Sequence, residues 1–278
     1  MATMKGLSIS VAALILLISK QALPAESDSK SCAFCFNPTI LDAKNGAGGT
    51  VGIEYSFKGE LLSKNFSSQD TGNSIDADAT LGSAVIDYSG SGTVAASKER
   101  NPKNFLEFLL DAKGKYSVPR LGTLLGGLFT KYETDQSFDN RQAVYGLGAT
   151  YGKFAAFGAN DFIAVDANYG RVDPKEDAER KAALGTDTLD PYYRWNLEFL
   201  YMYPLKWKAV STIELNYRYF RENGAPEAIK AANLDKFQLG SIRIGLQNDL
   251  FIAYSAGKLP FDRKNDNIFQ IGFSYKLD

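Results

Sequence analysis

The sequence contains no histidine and only two cysteines among its 278 residues. Histidine is the side chain whose unperturbed pKa suits general-base work near neutral pH, so its absence argues against histidine-dependent catalysis. Two cysteines are too few for a disulfide framework. The formal net charge is -1, so no basic field favours a nucleic-acid partner.

Long apolar runs are also scarce, and the clearest one stands at the N-terminus. Lys5 precedes an apolar run over residues 6–18, which is shorter than the roughly 20 residues of a membrane-spanning helix. Leu23-Pro24-Ala25 then offers a small residue at a cleavage position. We predict a signal peptide over residues 1–25 and therefore an exported protein. The alternative is a buried N-terminal helix of a soluble protein.

What the sequence has in abundance is aromatic residues, arranged with a period of two. The same alternation of apolar and polar residues recurs in segments 51–58, 106–116, 143–151, 163–169, 193–203, 209–219 and 269–277. Successive side chains of a strand point to opposite faces, so each segment has one apolar and one polar face. A soluble sandwich gives a similar pattern. Strands of about 10 to 14 residues with Tyr and Trp near their ends favour a membrane barrel.

The connections between these segments alternate between short and long. Short ones lie at 118–120, 154–160, 204–206 and 248–249, and long polar ones at 63–73, 98–103, 133–140, 171–189, 222–233 and 260–266. Membrane barrels have short periplasmic turns and long external loops. With a further short turn near Gly82-Ser83, the pattern gives about twelve strands; residues 75–97 could instead form one long strand. We predict an all-β fold, a transmembrane antiparallel up-and-down β-barrel over 49–278, preceded by a periplasmic or lumen segment over 26–48.

Two of the long loops carry helix signals. Asp173 followed by Pro174 and Glu176 has the pattern of a helix cap ahead of residues 178–184, and Gly185 can end the helix. Residues 226–233 are a second short candidate. Such helices either pack the loops or shape a mouth.

The last strand resembles the C-terminal strand of Gram-negative outer-membrane β-barrel proteins. In those proteins a polar-x-Gly-x-x-aromatic-x-apolar pattern is read by the barrel-assembly machinery, and Gln270 to Leu277 matches it with Gly272, Tyr275 and Leu277. The departure is Asp278, since most such chains stop on an aromatic residue. The resemblance is to the porin-like general class and covers residues 49–278. It implies location in the outer membrane of a Gram-negative bacterium and contact with outer-membrane lipid and lipopolysaccharide.

The motif Cys32-Ala33-Phe34-Cys35 predicts a local disulfide, because an exported chain enters an oxidising compartment. The pair would serve as a structural staple or as a thiol handle for assembly. A redox role would need a βαβ setting, and two cysteines supply too few ligands for a metal site. Outer-membrane enzymes of the phospholipase, omptin, palmitoyltransferase and deacylase types resemble one another in needing histidine. The lack of histidine leaves carboxylate-pair catalysis open, but nothing in the sequence singles out one pair. We predict no enzyme, no catalytic residue, no metal site and no cofactor.

The polar parity of the strands predicts the residues that face the lumen. They are Glu54, Lys58, Glu107, Asp111, Lys113, Lys115, Asp166, Arg194, Glu198, Glu214, Arg218 and Arg243. Acidic and basic members are balanced, which argues against strong ion selectivity. The apolar parity changes between Leu239 and Ile242, as a β-bulge would cause.

Two functions fit this barrel. The first is a narrow passive channel for small hydrophilic solutes, with residues 26–47 as a candidate plug. The alternative is a non-conducting structural or adhesive barrel that acts through external loops 171–189 and 222–233. A soluble secreted β-sandwich is a third hypothesis. The predicted partners are membrane lipid, the assembly machinery and small solutes, with no nucleic acid.

Overall fold

The computed structural model describes residues 34–43, 49–65, 82–96, 101–118, 121–158, 160–205, 207–262 and 265–277. In them the strands are β1 Phe34–Ala43, β2 Thr50–Asn65, β3 Ser83–Ala95, β4 Leu106–Val118, β5 Gly122–Thr134, β6 Arg141–Phe154, β7 Phe162–Glu176, β8 Tyr192–Pro204, β9 Val210–Asn223, β10 Lys236–Leu246, β11 Leu250–Lys258, β12 Asp266–Phe273 and β13 Tyr275–Leu277. The helices are α1 Ala178–Leu184 and α2 Glu227–Ala231, and Gln247–Asp249 forms a 3-10 turn. No described helix is long and apolar enough to cross a membrane.

The strands form a closed ring. Each strand pairs antiparallel with the next along the chain, and β1 closes the ring by pairing with both β12 and β13. β12 and β13 are one strand of the wall, interrupted at Ser274, whose N–H donates to the Asp249 carbonyl at 2.7 Å. The protein is therefore a closed 12-strand antiparallel up-and-down barrel, as predicted.

The two faces of the wall differ as the alternation predicts. On adjacent strands, Leu128 and Leu147 point outward and are 64% and 65% exposed, whereas Phe129 and Val144 point inward and are buried. Closure pairs the backbone of every strand, which is what a hydrocarbon environment requires. An apolar outer face around a polar interior is the architecture of outer-membrane barrels, so the chain has the barrel architecture that the resemblance implied.

The connections lie alternately at two ends of the barrel, which we call the loop end and the turn end. The loop end carries connections 44–49, 96–105, 135–140, 177–191, 224–235 and 259–265. The turn end carries 119–121, 155–161, 205–209 and 247–249, and also 66–82. The last is a long connection at the turn end, so the predicted short turn at Gly82-Ser83 is wrong. Ser83 instead begins the single strand β3.

The barrel begins earlier than predicted, because β1 lies inside the segment assigned to the periplasm or lumen. Residues 34–43 are wall, so they cannot be a plug. Pro38 hides this strand in the sequence, since proline cannot donate to a ladder. The structure places Pro38 where β12 gives way to β13, between the pairs Thr39–Gly272 and Phe36–Tyr275. The predicted signal peptide, 1–25, and residues 26–33 lie outside the described residues.

The predicted loop helices are confirmed, with one correction. Helix α1 ends at Gly185, whose φ of 65° is left-handed, but its N-cap is Asp177, whose carboxylate accepts from the Arg180 N–H at 2.9 Å. The predicted cap, Asp173, lies with Pro174 in β7, beside a shift in register at Arg141 and Gln142. Helix α2 falls within the predicted range 226–233.

Candidate functional site: the barrel interior

All charged residues predicted to face the lumen lie on the inner side of the wall, because the register keeps one parity inward around the ring. Glu54, Glu107, Arg194 and Arg218 lie toward the loop end. Lys58, Asp111, Lys113, Lys115, Asp166, Glu198, Glu214 and Arg243 lie at mid-barrel or toward the turn end. We call the corresponding parts of the interior the loop half and the turn half.

Arg194 on β8 and Glu133 on β5 form an ion pair sealed from solvent. Arg194 Nη2 lies 2.6 Å from Glu133 Oε1, and the two side chains are 2% and 0% exposed. Gln142 donates to the other carboxylate oxygen at 2.6 Å, and Arg194 Nε donates to Asn196 Oδ1 at 2.7 Å. Buried charges persist only when they are paired and hydrogen-bonded. Water is therefore excluded from this sector of the loop half.

A second ion pair crosses the lumen. Arg218 on β9 donates through Nη2 to both carboxylate oxygens of Glu107 on β4, at 2.8 Å each. Lys131 Nζ lies 3.6 Å from Glu107, and Arg218 Nε lies 3.4 Å from Glu198. Strands β4 and β9 stand nearly opposite each other in the ring. This cluster is thus a bridge through the middle of the barrel.

Part of one loop folds into the lumen, and we call residues 101–105 the luminal segment. Asn101 donates to the Thr93 carbonyl at 2.8 Å. Lys103 Nζ donates to Gln270 Oε1 at 2.9 Å and lies 3.5 Å from Glu54. Arg243 reaches the same Glu54 carboxylate at 3.3 Å. The segment is therefore fastened to the inner wall by polar contacts.

The luminal segment ends in an apolar cluster that fills the loop half. Phe105, Phe220, Leu239 and Leu259 are buried together, with Phe237 and Phe261 packed against them. Leu239 explains the change of parity that we attributed to a bulge: the register runs unbroken from Lys236 to Gly245, and Leu239 is an apolar residue facing inward. The expected bulge between Leu239 and Ile242 is therefore wrong.

Asp262 ties three loop-end connections together. Its carboxylate accepts from the N–H of Leu259 at 2.8 Å and from the N–H of Asn104 at 3.3 Å. Asn104 Oδ1 in turn accepts from the N–H of Gln136 at 2.8 Å. Burial raises the pKa of Asp262 to about 7, and the two backbone donors offset only part of that rise.

Helix α1 is fastened to the wall by its own ion pair. The Arg180 guanidinium donates to both carboxylate oxygens of Glu222 on β9, at 2.7 and 2.8 Å, and both side chains are buried. The Arg180 guanidinium also lies over the Tyr192 ring, 4.0 Å from its centroid. A fork-to-carboxylate pair fixes orientation as well as position. The connection that carries α1 is therefore held to the barrel mouth.

The turn half is more open. Lys58 and Lys115 are exposed, and Leu200 and Met202 are only partly buried. Lys113 pairs with Asp111 at 2.9 Å, and Asp166 accepts from Thr150 at 2.5 Å and from Asn168. A small pocket lies at the border of the two halves, lined by Lys131, Asp166, Asn168, Asn196, Leu197, Glu198, Arg218 and Phe220.

Several interior residues escaped the sequence analysis. Lys131 and Glu133 share the inner parity of β5 with Phe129, and an alternation scan of 122–134 would have found them. Lys103, Phe105 and Asp262 belong to connections, where alternation carries no signal. Their partners depend on how the loops fold.

The other predicted sites lie where β1 meets the C-terminus. Gly272 faces inward, and a Cβ there would stand 2.6 Å from the Pro38 carbonyl oxygen, so this position needs glycine for packing. Tyr275 points outward opposite Phe36, and Leu277 pairs with Phe34. Cys35 is disulfide-bonded, while its predicted partner Cys32 lies outside the described residues. Within the described residues, no group of three or more His, Cys, Asp or Glu side chains could hold a metal ion.

No family model and no curated protein matches the chain. Among solved structures, the chain is similar to the NanC porin, with 11% identity, a TM-score of 0.46, and coverage of 87% of this chain and 100% of that one. It is also similar to the KdgM porin, with 8% identity, a TM-score of 0.40, and coverage of 88% of this chain and 99% of that one. The translocator domain of the autotransporter NalP from Neisseria meningitidis shows 13% identity and a TM-score of 0.34, with coverage of 97% of this chain and 98% of that one. These values are too low to transfer a function from any of them.

Proposed function

We propose that this protein is an outer-membrane barrel of a Gram-negative bacterium that acts as a narrow passive channel for small hydrophilic solutes. The observation that carries the proposal is the division of the interior. The turn half is an accessible polar vestibule, while the loop half narrows to the ion pair Arg218–Glu107 and the luminal segment. A polar passage with charged side chains at its narrowest level suits small hydrophilic solutes. No catalytic step is part of this proposal.

The luminal segment is the element that closes the passage in this conformation. Phe105 is 3% exposed at the centre of the apolar cluster, and Lys103 bridges to Glu54 and Gln270 on the wall. These contacts are non-covalent, and the closed ladder does not depend on them. Moving the segment would therefore open the loop half without breaking the barrel. We expect low and intermittent conductance from the unaltered protein.

The test is single-channel conductance of residues 26–278, folded and inserted in a planar bilayer. We expect small steps from the unaltered chain. The double variant Lys103→Ala, Phe105→Ala should give severalfold larger and longer steps. It removes the polar contacts of Lys103 with the wall and the packing of Phe105 in the apolar cluster, which together keep the luminal segment in place. The matched control is Lys230→Ala, Phe138→Ala, which removes the same residue types from exposed loop positions. Heat-modifiable gel mobility confirms that each variant has folded.

Silence from both the unaltered chain and the luminal variant would contradict the channel. It would favour the second candidate, a closed structural or adhesive barrel. The buried pairs Arg194–Glu133 and Arg180–Glu222 support that candidate, because they fix the loop end in one arrangement and leave α1 and α2 displayed above it. Deleting residues 178–184 or 227–231 should then abolish binding to a cell or partner and leave conductance at zero.

A further inference from the structure

Three cations lie on the outer face of the wall near the loop end: Arg171 on β7, Arg221 on β9 and Lys236 on β10. We call them the outer cationic patch. Their parity is outward, because Arg171 stands opposite Tyr193, and Arg221 stands opposite Trp195 and Lys236. All three are exposed. None forms an ion pair with a described carboxylate, and nearby Asp173 is taken by Lys175 at 2.6 Å.

The patch is confined to one sector of the barrel. Around the rest of the described loop end, most outward positions carry apolar residues such as Ile40, Val51, Val94, Tyr254 and Phe269. Asp42 on β1 and Arg141 on β6 are exposed charged exceptions, and neither stands opposite a charge of the same sign. A uniform solubilising rim would spread its charges around the ring. The clustering on β7 to β10 indicates a local anionic partner.

The patch also carries a like-charge repulsion that no described carboxylate offsets; the one side-chain contact of these cations within the described residues is that of Lys236 Nζ with the Tyr219 ring, 5.5 Å from its centroid. Arg221 and Lys236 stand directly opposite each other on neighbouring strands, and like charges in this arrangement repel. The interior shows the opposite pattern, since Arg180, Arg194 and Arg218 each contact a carboxylate. A bound anion between Arg221 and Lys236 would remove the repulsion.

The aromatic residues around the patch set its depth. The Tyr169 ring lies 4.6 Å from the Trp195 ring and 5.7 Å from the Tyr193 ring, all on the outer face. Tyr and Trp in membrane barrels gather at the level of the lipid headgroups. The patch therefore lies beside the headgroups rather than the acyl chains.

We propose that the outer cationic patch binds the phosphate of an anionic lipid in the leaflet at the loop end. Guanidinium groups bind phosphate oxygens in pairs, and Lys236 adds a third charge from the neighbouring strand. The aromatic residues beside these cations contact the same lipid at the level of its headgroup. This site faces the lipid, so it is independent of whether the lumen conducts.

The test measures retention of lipid A by the folded full barrel in neutral maltoside micelles, using native mass spectrometry. Arg221→Gln, Lys236→Gln should weaken retention roughly fivefold for each charge removed. The matched control, Lys64→Gln, Lys153→Gln, removes two outward cations at the turn end, where they stand apart on β2 and β6. The control should retain lipid as the unaltered chain does. Dephosphorylated lipid A should bind equally weakly to all three.

Thermal unfolding gives a second readout, because the difference in stability between the unaltered chain and the variant should change sign when lipid A is added. Without lipid, the Arg221→Gln, Lys236→Gln variant should melt at the same temperature or higher, because the repulsion is gone. With lipid A, the unaltered chain should gain more stability than the variant. Equal losses in patch and control variants would overturn the proposal. So would retention that ignores phosphate, or full competition by inorganic phosphate at the lipid's own concentration.

Discussion

The loop half and the turn half of the barrel share one wall but differ in how far their inward-facing charged side chains are buried and paired. In the loop half, Arg194 and Glu133 are almost fully buried and form an ion pair, with Arg194 Nη2 lying 2.6 Å from Glu133 Oε1. In the turn half, Lys58 and Lys115 extend from the same inner face and remain exposed. The difference lies in what fills the lumen. Folded connections and phenylalanines exclude water from one half, whereas water solvates the charges in the other.

This comparison teaches that an inward-facing charge in a barrel has no single meaning. The same parity places a residue in a dry, paired cluster or in a wet vestibule, depending on its height along the strand. In the dry half a charge is structural, because leaving it unpaired is costly. In the wet half a charge can change with little structural consequence, and it is there that charges can influence ions in transit.

The largest expected difference between the halves is in stability. Arg194→Ala leaves Glu133 as a buried, uncompensated charge, and breaking such a pair costs about 3 to 5 kcal/mol. Lys58→Ala, the matched variant in the turn half, should change stability by less than about 0.5 kcal/mol, because surface substitutions of this kind usually do. Urea unfolding of the folded barrel in vesicles measures both. Similar losses for the two variants would erase the distinction between the halves.

A smaller effect should appear when pH is varied at the loop end. The pKa of Asp262 is raised to about 7 by burial, so the folded protein holds this proton more tightly than the unfolded chain does. The resulting stability is fully present below the unfolded pKa of about 4 and is lost as pH rises through 7. Hydrogen exchange at the Asn104 and Leu259 amides, corrected for intrinsic rates, should therefore be faster at pH 8 than at pH 5.

Asp262→Asn should remove most of that pH dependence, because asparagine keeps an acceptor oxygen and does not titrate. Asp187→Asn, at an exposed position in the α1 connection, is the control and should leave the dependence intact. An unchanged pH dependence in Asp262→Asn would assign the effect to another group. Amides of the turn-half strands should not respond in any of these proteins.

The smallest effect concerns ion preference in the turn half. Lys115→Glu reverses an exposed inner-face charge and should shift the reversal potential modestly toward cations, with no loss of stability. The measurement uses a salt gradient across a planar bilayer and the Lys103→Ala, Phe105→Ala background, in which we expect the passage to be open. Lys64→Glu makes the same change at the same end but on the outer face, and it should shift nothing. Equal shifts would show that Lys115 does not line the passage.

Much of the fold could be predicted because alternation is a local property. Residues 193–203 alone show which side chains of β8 face inward, and the structure places Arg194 and Glu198 there. The predicted number of strands agreed with the structure only because two errors cancelled. The strand at residues 34–43 was missed, which removed one strand from the count, and residues 75–97 were counted as two strands, which added one. Proline in β1 and small residues in β3 weaken the local signal at both places.

The sequence by itself determined the alternating strands, the inner parity of the charged residues and the two loop helices, because each depends on neighbours a few positions apart. Only the tertiary structure decided which charges meet. Glu107 and Arg218 are separated by 111 residues, and Glu54 and Arg243 by 189. Such contacts depend on closure, on the height of each residue in the wall and on the loops that enter the lumen. The alternation of apolar and polar residues carries no information on any of these three features.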